Sequence, residues 1–181
     1  SSISRHISID KIDTIFFSHQ DPDVSSGIAL WLGVTNAKVY ISALWTRFLP
    51  HFGIVGERRI VPIEDRGSSL RLASGSELRF VPAHFMHSPG QFSAYDVRSK
   101  ILFTGDIGAA VFESEDQPLF VDDFAAHIPL IKGFHERYMA SNAVVRKWCS
   151  TVSRIDPAMI APQHGAVYRG AGVKAFLDWL S

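Results

Sequence analysis

The chain has 181 residues, 46% of them apolar, and its 18 lysines and arginines balance 18 aspartates and glutamates. It can bury one substantial core, and it lacks both the composition of a disordered chain and the basic stripe that a nucleic-acid backbone demands. No apolar run approaches the roughly 20 residues that span a bilayer, and no signal-peptide pattern opens the sequence, so neither nucleic acid nor a membrane is expected as a partner. The single cysteine, Cys149, cannot close an internal disulfide, which fits a reducing cytoplasm; its setting is that of a small buried helix residue.

In chain order, residues 13–18 are rich in β-branched and aromatic side chains and read as a buried strand. A helix over 25–32 and a strand over 38–41 follow, giving a βαβ-like opening, and then a helix over 43–49. From Ile60 to Thr104 short apolar runs alternate with turn signals at Arg66-Gly67-Ser68, Ser74-Gly75-Ser76, Ser88-Pro89-Gly90 and Arg98-Ser99-Lys100, which predicts strands in hairpins. Ile128, Ile131, Tyr138, Val145, Trp148, Val152 and Ile155 recur at helical spacing, so one long helix is expected, with Gly133 as its irregularity. Pro157 ends it, residues 158–161 form a short strand, and 172–180 form a terminal amphipathic helix. Trp31, Trp45, Trp148 and Trp179 fall on predicted helices and read as packing residues. This order suits an α/β fold of sheets layered between helices, in one domain over residues 1–181. The site-bearing strand comes almost at once, so the domain is expected to be incomplete at its N-terminus: another segment or subunit completes the sheet, or the chain is truncated.

Side chains able to hold a metal gather at the ends of these apolar runs. His19-Gln20-Asp21-Pro22-Asp23 puts three of them on alternate residues directly after the first strand. His87 follows Phe80-Val81-Pro82, Asp106 follows Ile101-Leu102-Phe103-Thr104-Gly105, and His164 follows Met159-Ile160-Ala161. Singly, each has an ordinary structural explanation, since Asp-Pro-Asp is a common turn and a lone histidine is usually structural. Four successive strand ends with such a residue are hard to explain by packing. Three imidazoles and three carboxylates are the ligand mix of a non-haem two-metal site. His84, three residues before His87, is a candidate supporting donor; His6, His51, His127 and His135 read as structural or surface residues. Tyr95, Tyr138 and Tyr168 are pocket candidates whose ordinary reading is core.

The His-x-Asp-x-Asp stretch, His87-Ser88-Pro89-Gly90, Thr104-Gly105-Asp106 and Gln163-His164-Gly165 resemble, in order, the metal motifs of the metallo-β-lactamase superfamily. The resemblance runs from Ile12 to Leu180 and implies an αββα sandwich. Within the superfamily the chain looks most like the diiron branch, comprising flavodiiron proteins and, more closely, oxygen-binding diiron sensor modules. Ser18-His19-Gln20-Asp21-Pro22-Asp23, Phe103-Thr104-Gly105-Asp106-Ile107-Gly108 and the stretch from Gly133 to Met139 carry that closer likeness. Zinc hydrolases of the superfamily use His-x-His-x-Asp-His, whereas Asp21 and Val24 stand at two of those positions here. An added carboxylate suits a harder, redox-active ion. The resemblance implies two irons, the first held by His19, Asp21, His87 and bridging Asp106, the second by Asp23, Asp106 and His164, with zinc or manganese as substitutes. Val24 stands where flavodiiron proteins place a further histidine, which implies an open position walled by an apolar side chain.

The leading expectation is therefore a dioxygen-binding sensor, forming a peroxo-type adduct and reporting to a downstream signalling domain or protein, in a homodimer. No phosphate-binding loop for a flavin nucleotide is present, so no flavin is expected in this chain. An oxygen or nitric oxide reductase fed by a separate electron donor is the alternative, and a zinc hydrolase of the same superfamily is a third reading.

Overall fold

Three short runs of β-branched and aromatic residues in the first part of the chain pair side by side. In the computed structural model, which describes residues 3–113 and 117–181, the chain divides into two compact units, with the boundary in sequence between Asp65 and Arg66. The first contains β1 (Thr14–Phe16), β2 (Lys38–Ser42) and β3 (Ile60–Ile63) in the order β1-β2-β3, all parallel. Ile15 lies opposite Val39, and Val39 opposite Ile60. Parallel neighbours need a crossover. Helices α1 (Pro22–Ser25) and α2 (Ile28–Val34) supply the first, and a 3-10 segment, Ala43–Phe52, the second. Ile28 and Leu32 of α2, with Trp45 and Leu49 of the 3-10 segment, bury Phe17, Val39 and Ile41.

Three expectations are corrected in this unit. The helix expected over 25–32 is two pieces, because Ser25 turns its hydroxyl back onto the carbonyls of Gln20 (2.8 Å) and Asp21 (3.0 Å) and Ser26-Gly27 separates the pieces. The segment expected over 43–49 is 3-10 rather than α, contains Pro50, and runs to Phe52. β3 belongs to no hairpin, since its partner is the distant, parallel β2. Arg59, just before β3, donates to the carbonyls of Leu32 (2.9 Å) and Thr35 (2.7 Å) and so closes the C-terminal end of α2. Its bond to Glu57 holds that carboxyl well down, at about 2.

Among the described residues the second unit holds six strands: β4 (Ser68–Arg71), β5 (Glu77–Pro82), β6 (Phe92–Asp96), β7 (Ile101–Phe103), β8 (Met159–Ala161) and β9 (Tyr168–Arg169). β4 to β7 form the expected antiparallel meander. β8 then joins β7 in parallel, Leu102 opposite Ile160, and the unexpected two-residue β9 closes the edge. Helices α3 (Phe124–Tyr138), α4 (Asn142–Ile155) and α5 (Ala171–Leu180) complete the unit. Ile131, Val145, Trp148, Val152 and Phe176 from these helices pack with Tyr95, Leu102, Ile160 and Tyr168 from the strands in one core.

The single long helix is also corrected. It breaks after Tyr138, not at Gly133, and α4 restarts from Ser141, whose hydroxyl accepts from the Val144 N–H. Between the helices, Met139 bridges Met86, and Ala140 N–H donates to Phe85 O at 3.2 Å. The joint thus supplies backbone bonds to the segment that leads into His87.

Candidate metal centre

In the first unit the chain bends at Ser18 and His19 after β1 and buries Phe17, Ser18 and His19. The His19 side chain is wholly buried; its Nδ1 lies 2.9 Å from Ser18 Oγ, and its Nε2 lies 3.7 Å from Asp21 Oδ2. Asp21 precedes α1, where Pro22 occupies the first turn with its fixed φ, and Gln20 Nε2 donates to Asp21 Oδ1 at 3.1 Å. Asp23 sits in α1 and is exposed, while Val24 packs against the core of this unit.

The other three candidates lie in the second unit. His87 follows β5 in a turn where Phe85 N–H donates to Ser88 O at 2.9 Å. Phe85 and His87 both take positive φ, 64° and 81°, a conformation few side chains adopt and one often retained at functional sites. The His87 ring is flanked by Phe134 and Tyr138 of α3, each at 5.4 Å between centroids. His164 follows β8 and is half exposed. Gly165, at φ 109°, is required there because a Cβ would lie 2.9 Å from the Ala110 nitrogen.

Asp106 occupies a tight loop after β7 in which neighbouring polar groups are bonded. Thr104 Oγ1 donates to Ile107 O (2.6 Å), Gln91 Nε2 to Thr104 O (3.0 Å), and the Gln163 N–H to Gly105 O (2.7 Å). Gly108 is gripped from both sides: its N–H donates to His135 Nε2 at 2.9 Å and its carbonyl accepts from the Tyr168 hydroxyl at 3.0 Å. Burial lowers the pKa of His135 and raises that of Tyr168, so both are neutral near pH 7.

The second unit therefore brings His87, Asp106 and His164 together. His87 Nε2 lies 3.5 Å from Asp106 Oδ2, and His164 Nε2 lies 3.9 Å from Asp106 Oδ1. These spacings are too long for good hydrogen bonds, yet both are short enough for the two atoms to share an ion about 2.1 Å from each. The His19–Asp21 spacing in the first unit has the same character. The residues thus fit a metal centre. The two Asp106 oxygens face different imidazoles, an arrangement that suits a carboxylate bridging two ions. His84 packs edge-on against Phe92 at 5.0 Å.

The roles of His135, Tyr168 and Gln91 at this loop were not expected from the sequence. His135 and Tyr168 read as structural, which they are, but the structure they hold is the loop that carries Asp106. The available signal was the stretch from Gly133 to Met139 that carries the family likeness.

The family described as ODP family beta lactamase matches residues 1–165. The chain belongs to that family. Among solved structures, one described as a peroxy diiron species of the chemotaxis sensor ODP is 63% identical, with a TM-score of 0.91 over 99% of this chain and 75% of that one. The apo state of the chemotaxis sensor ODP from T. denticola is 64% identical, with a TM-score of 0.90 over 99% of this chain and 73% of that one. The rubredoxin oxygen:oxidoreductase of Desulfovibrio gigas shares the fold at 19% identity and a TM-score of 0.83, over 98% of this chain and 46% of its own length. Diflavin flavoprotein A 1 of Synechocystis is 28% identical over 165 residues, which span 88% of this chain but only 28% of that relative. The fold is thus the expected metallo-β-lactamase-like α/β class. Among the described residues, no helix of this ODP-family chain is long and apolar enough to cross a membrane.

Proposed function

We propose that this chain is a diiron module that binds dioxygen and reports oxygen or redox state to a signalling partner. The observation that carries the reading is Asp106, whose two oxygens address two different imidazoles at 3.5 and 3.9 Å. The family, and the high identity to a chemotaxis sensor described with a diiron species, support iron as the metal. His19, Asp21 and His87 are the ligands proposed for the first ion, Asp23 and His164 for the second, and Asp106 for both. His84 is proposed as a supporting donor. Bound ferrous ions would supply the electrons that dioxygen binding requires, and these residues would hold them.

The chain's own residues set the conditions for that chemistry. His19 contacts Ser18 through Nδ1, which leaves Nε2 as its ligand atom. The aromatic rings of Phe134 and Tyr138 cover one side of His87 and limit water there. The same reading places the protein in the cytoplasm, as a homodimer, with its output taken by a signalling domain or protein.

Anaerobic loading with ferrous iron followed by exposure to air tests the proposal. The expected result is a new visible charge-transfer absorption that forms once per loading; an unchanged spectrum on protein that holds iron would refute dioxygen binding. Many turnovers with an added reductant would instead identify a reductase.

A further inference from the structure

Metal ligands are only as well placed as the backbone beneath them, and the backbone beneath Asp106 is held by an imidazole from another element. His135 lies in the last turn of α3, is 4% exposed, and uses both ring nitrogens: Nδ1 donates to Ile131 O at 2.7 Å, and Nε2 accepts the Gly108 N–H at 2.9 Å. The Gly108 amide can only donate, which fixes the tautomer with the proton on Nδ1. The ring is also wedged edge-on between Phe176 (6.0 Å) and Trp179 (5.6 Å) of α5, so it cannot swing away. Gly108 lies two residues after Asp106, and the Ala109 N–H donates back to Asp106 O at 3.0 Å, so the turn that His135 grips is the turn that aims the carboxylate.

We infer that His135 is a positioning residue of the metal centre, which fixes the Asp106 carboxylate by holding the Gly108 amide, and so ties helix α3 to the metals without touching them. The inference rests on the proposal that Asp106 is a metal ligand. A phenylalanine at 135 would keep the packing and lose the acceptor, leaving a buried N–H unpaired; a glutamine could restore an acceptor for Gly108. Loss of an outer partner of this kind typically weakens metal affinity about 10- to 100-fold.

Two measurements test it. In the metal-free wild type, a nitrogen–nitrogen coupling through the hydrogen bond should link the Gly108 amide to His135 Nε2 in NMR spectra; its absence would overturn the inference. Ferrous iron and cobalt(II) are then titrated anaerobically into the wild type, His135→Phe and His135→Gln. His135→Phe should lose about 10- to 100-fold in affinity and shift the cobalt ligand-field bands, with His135→Gln recovering much of both. A folded His135→Phe that binds as tightly as wild type, with unshifted bands, would refute the role. Should His135→Phe not fold, His135→Leu takes its place: weakened affinity with shifted bands supports the inference, and wild-type affinity with unshifted bands refutes it. Asp106→Ala separates the two levels: if it keeps its metals while the coupling is present, the assignment of Asp106 as a ligand fails and the hydrogen bond stands.

Discussion

Gly108→Ala should be among the most damaging single-methyl additions in this chain. The residue sits at φ 98°, which disfavours any side chain by about 1–2 kcal/mol. Its new Cβ would also lie 3.0 Å from Tyr168 Cε2, 3.5 Å from Pro162 Cβ and 3.6 Å from Phe176 Cζ. Tyr168 cannot easily yield, since it is fully buried, stacked on Phe176 at 4.4 Å, and bonded through its hydroxyl to the Gly108 carbonyl. Overpacking of this kind adds about 1–3 kcal/mol, so the expected total is about 2–5 kcal/mol. Gly133→Ala is the control: that glycine lies within α3 with nothing near a new Cβ, and should stabilise by about 0.5–1 kcal/mol. Urea unfolding of the metal-free proteins, followed by tryptophan fluorescence, measures both. With m of about 2 kcal/mol/M, the Gly108 variant should unfold about 1–2.5 M earlier. A loss below about 1 kcal/mol, or an equal loss at Gly133, would refute the claim that the loop is held rigidly by its neighbours.

Asp106→Ala should lower bound iron at least about tenfold in metal analysis, because both proposed sites lose a ligand; His164→Ala should preferentially deplete one ion. Ser141→Ala removes the hydroxyl that accepts the Val144 N–H and should cost about 1 kcal/mol in the same urea assay. His127 is buried against the rings of Phe112 and Tyr168, and that burial lowers its pKa. The unfolded chain therefore takes up the proton first, so the residue's contribution to stability is complete above about pH 6.5 and is lost as the pH falls through its folded-state value. Between pH 7.5 and 5, the urea midpoint of the metal-free protein should fall less in His127→Leu than in the wild type; an equal fall would show that His127 does not titrate in this range.

The ligand candidates were legible because each follows a short apolar run, and a strand end next to Pro or Gly is a local signal. The meander was legible for the same reason: each antiparallel hairpin advertises its own turn. Parallel pairing does not. Ile60-Val61-Pro62-Ile63 looks like the runs after it, but its partner is β2, and no turn residue encodes that contact. The joint between α3 and α4 was hidden because Val145, Trp148 and Val152 continue the apolar spacing of Ile128 and Ile131. The cap at Ser141 was the better signal, but a hydroxyl before Asn-Ala is weaker evidence than seven spaced apolar residues. His135 could not be found by periodicity at all, since its role rests on one bond to an amide 27 residues away.

The joint at Met139–Ala140 has a consequence for anyone who would redesign this chain. Connections between helices are usually the first place to insert a tag, a sensor or a permuted terminus, because little depends on their length. Here the joint itself holds Phe85 and Met86, immediately before His87, through a single backbone bridge and one hydrogen bond. A residue added there would slip that register and carry an imidazole with it, so the safest-looking graft site on the helical side is one of the least permissive.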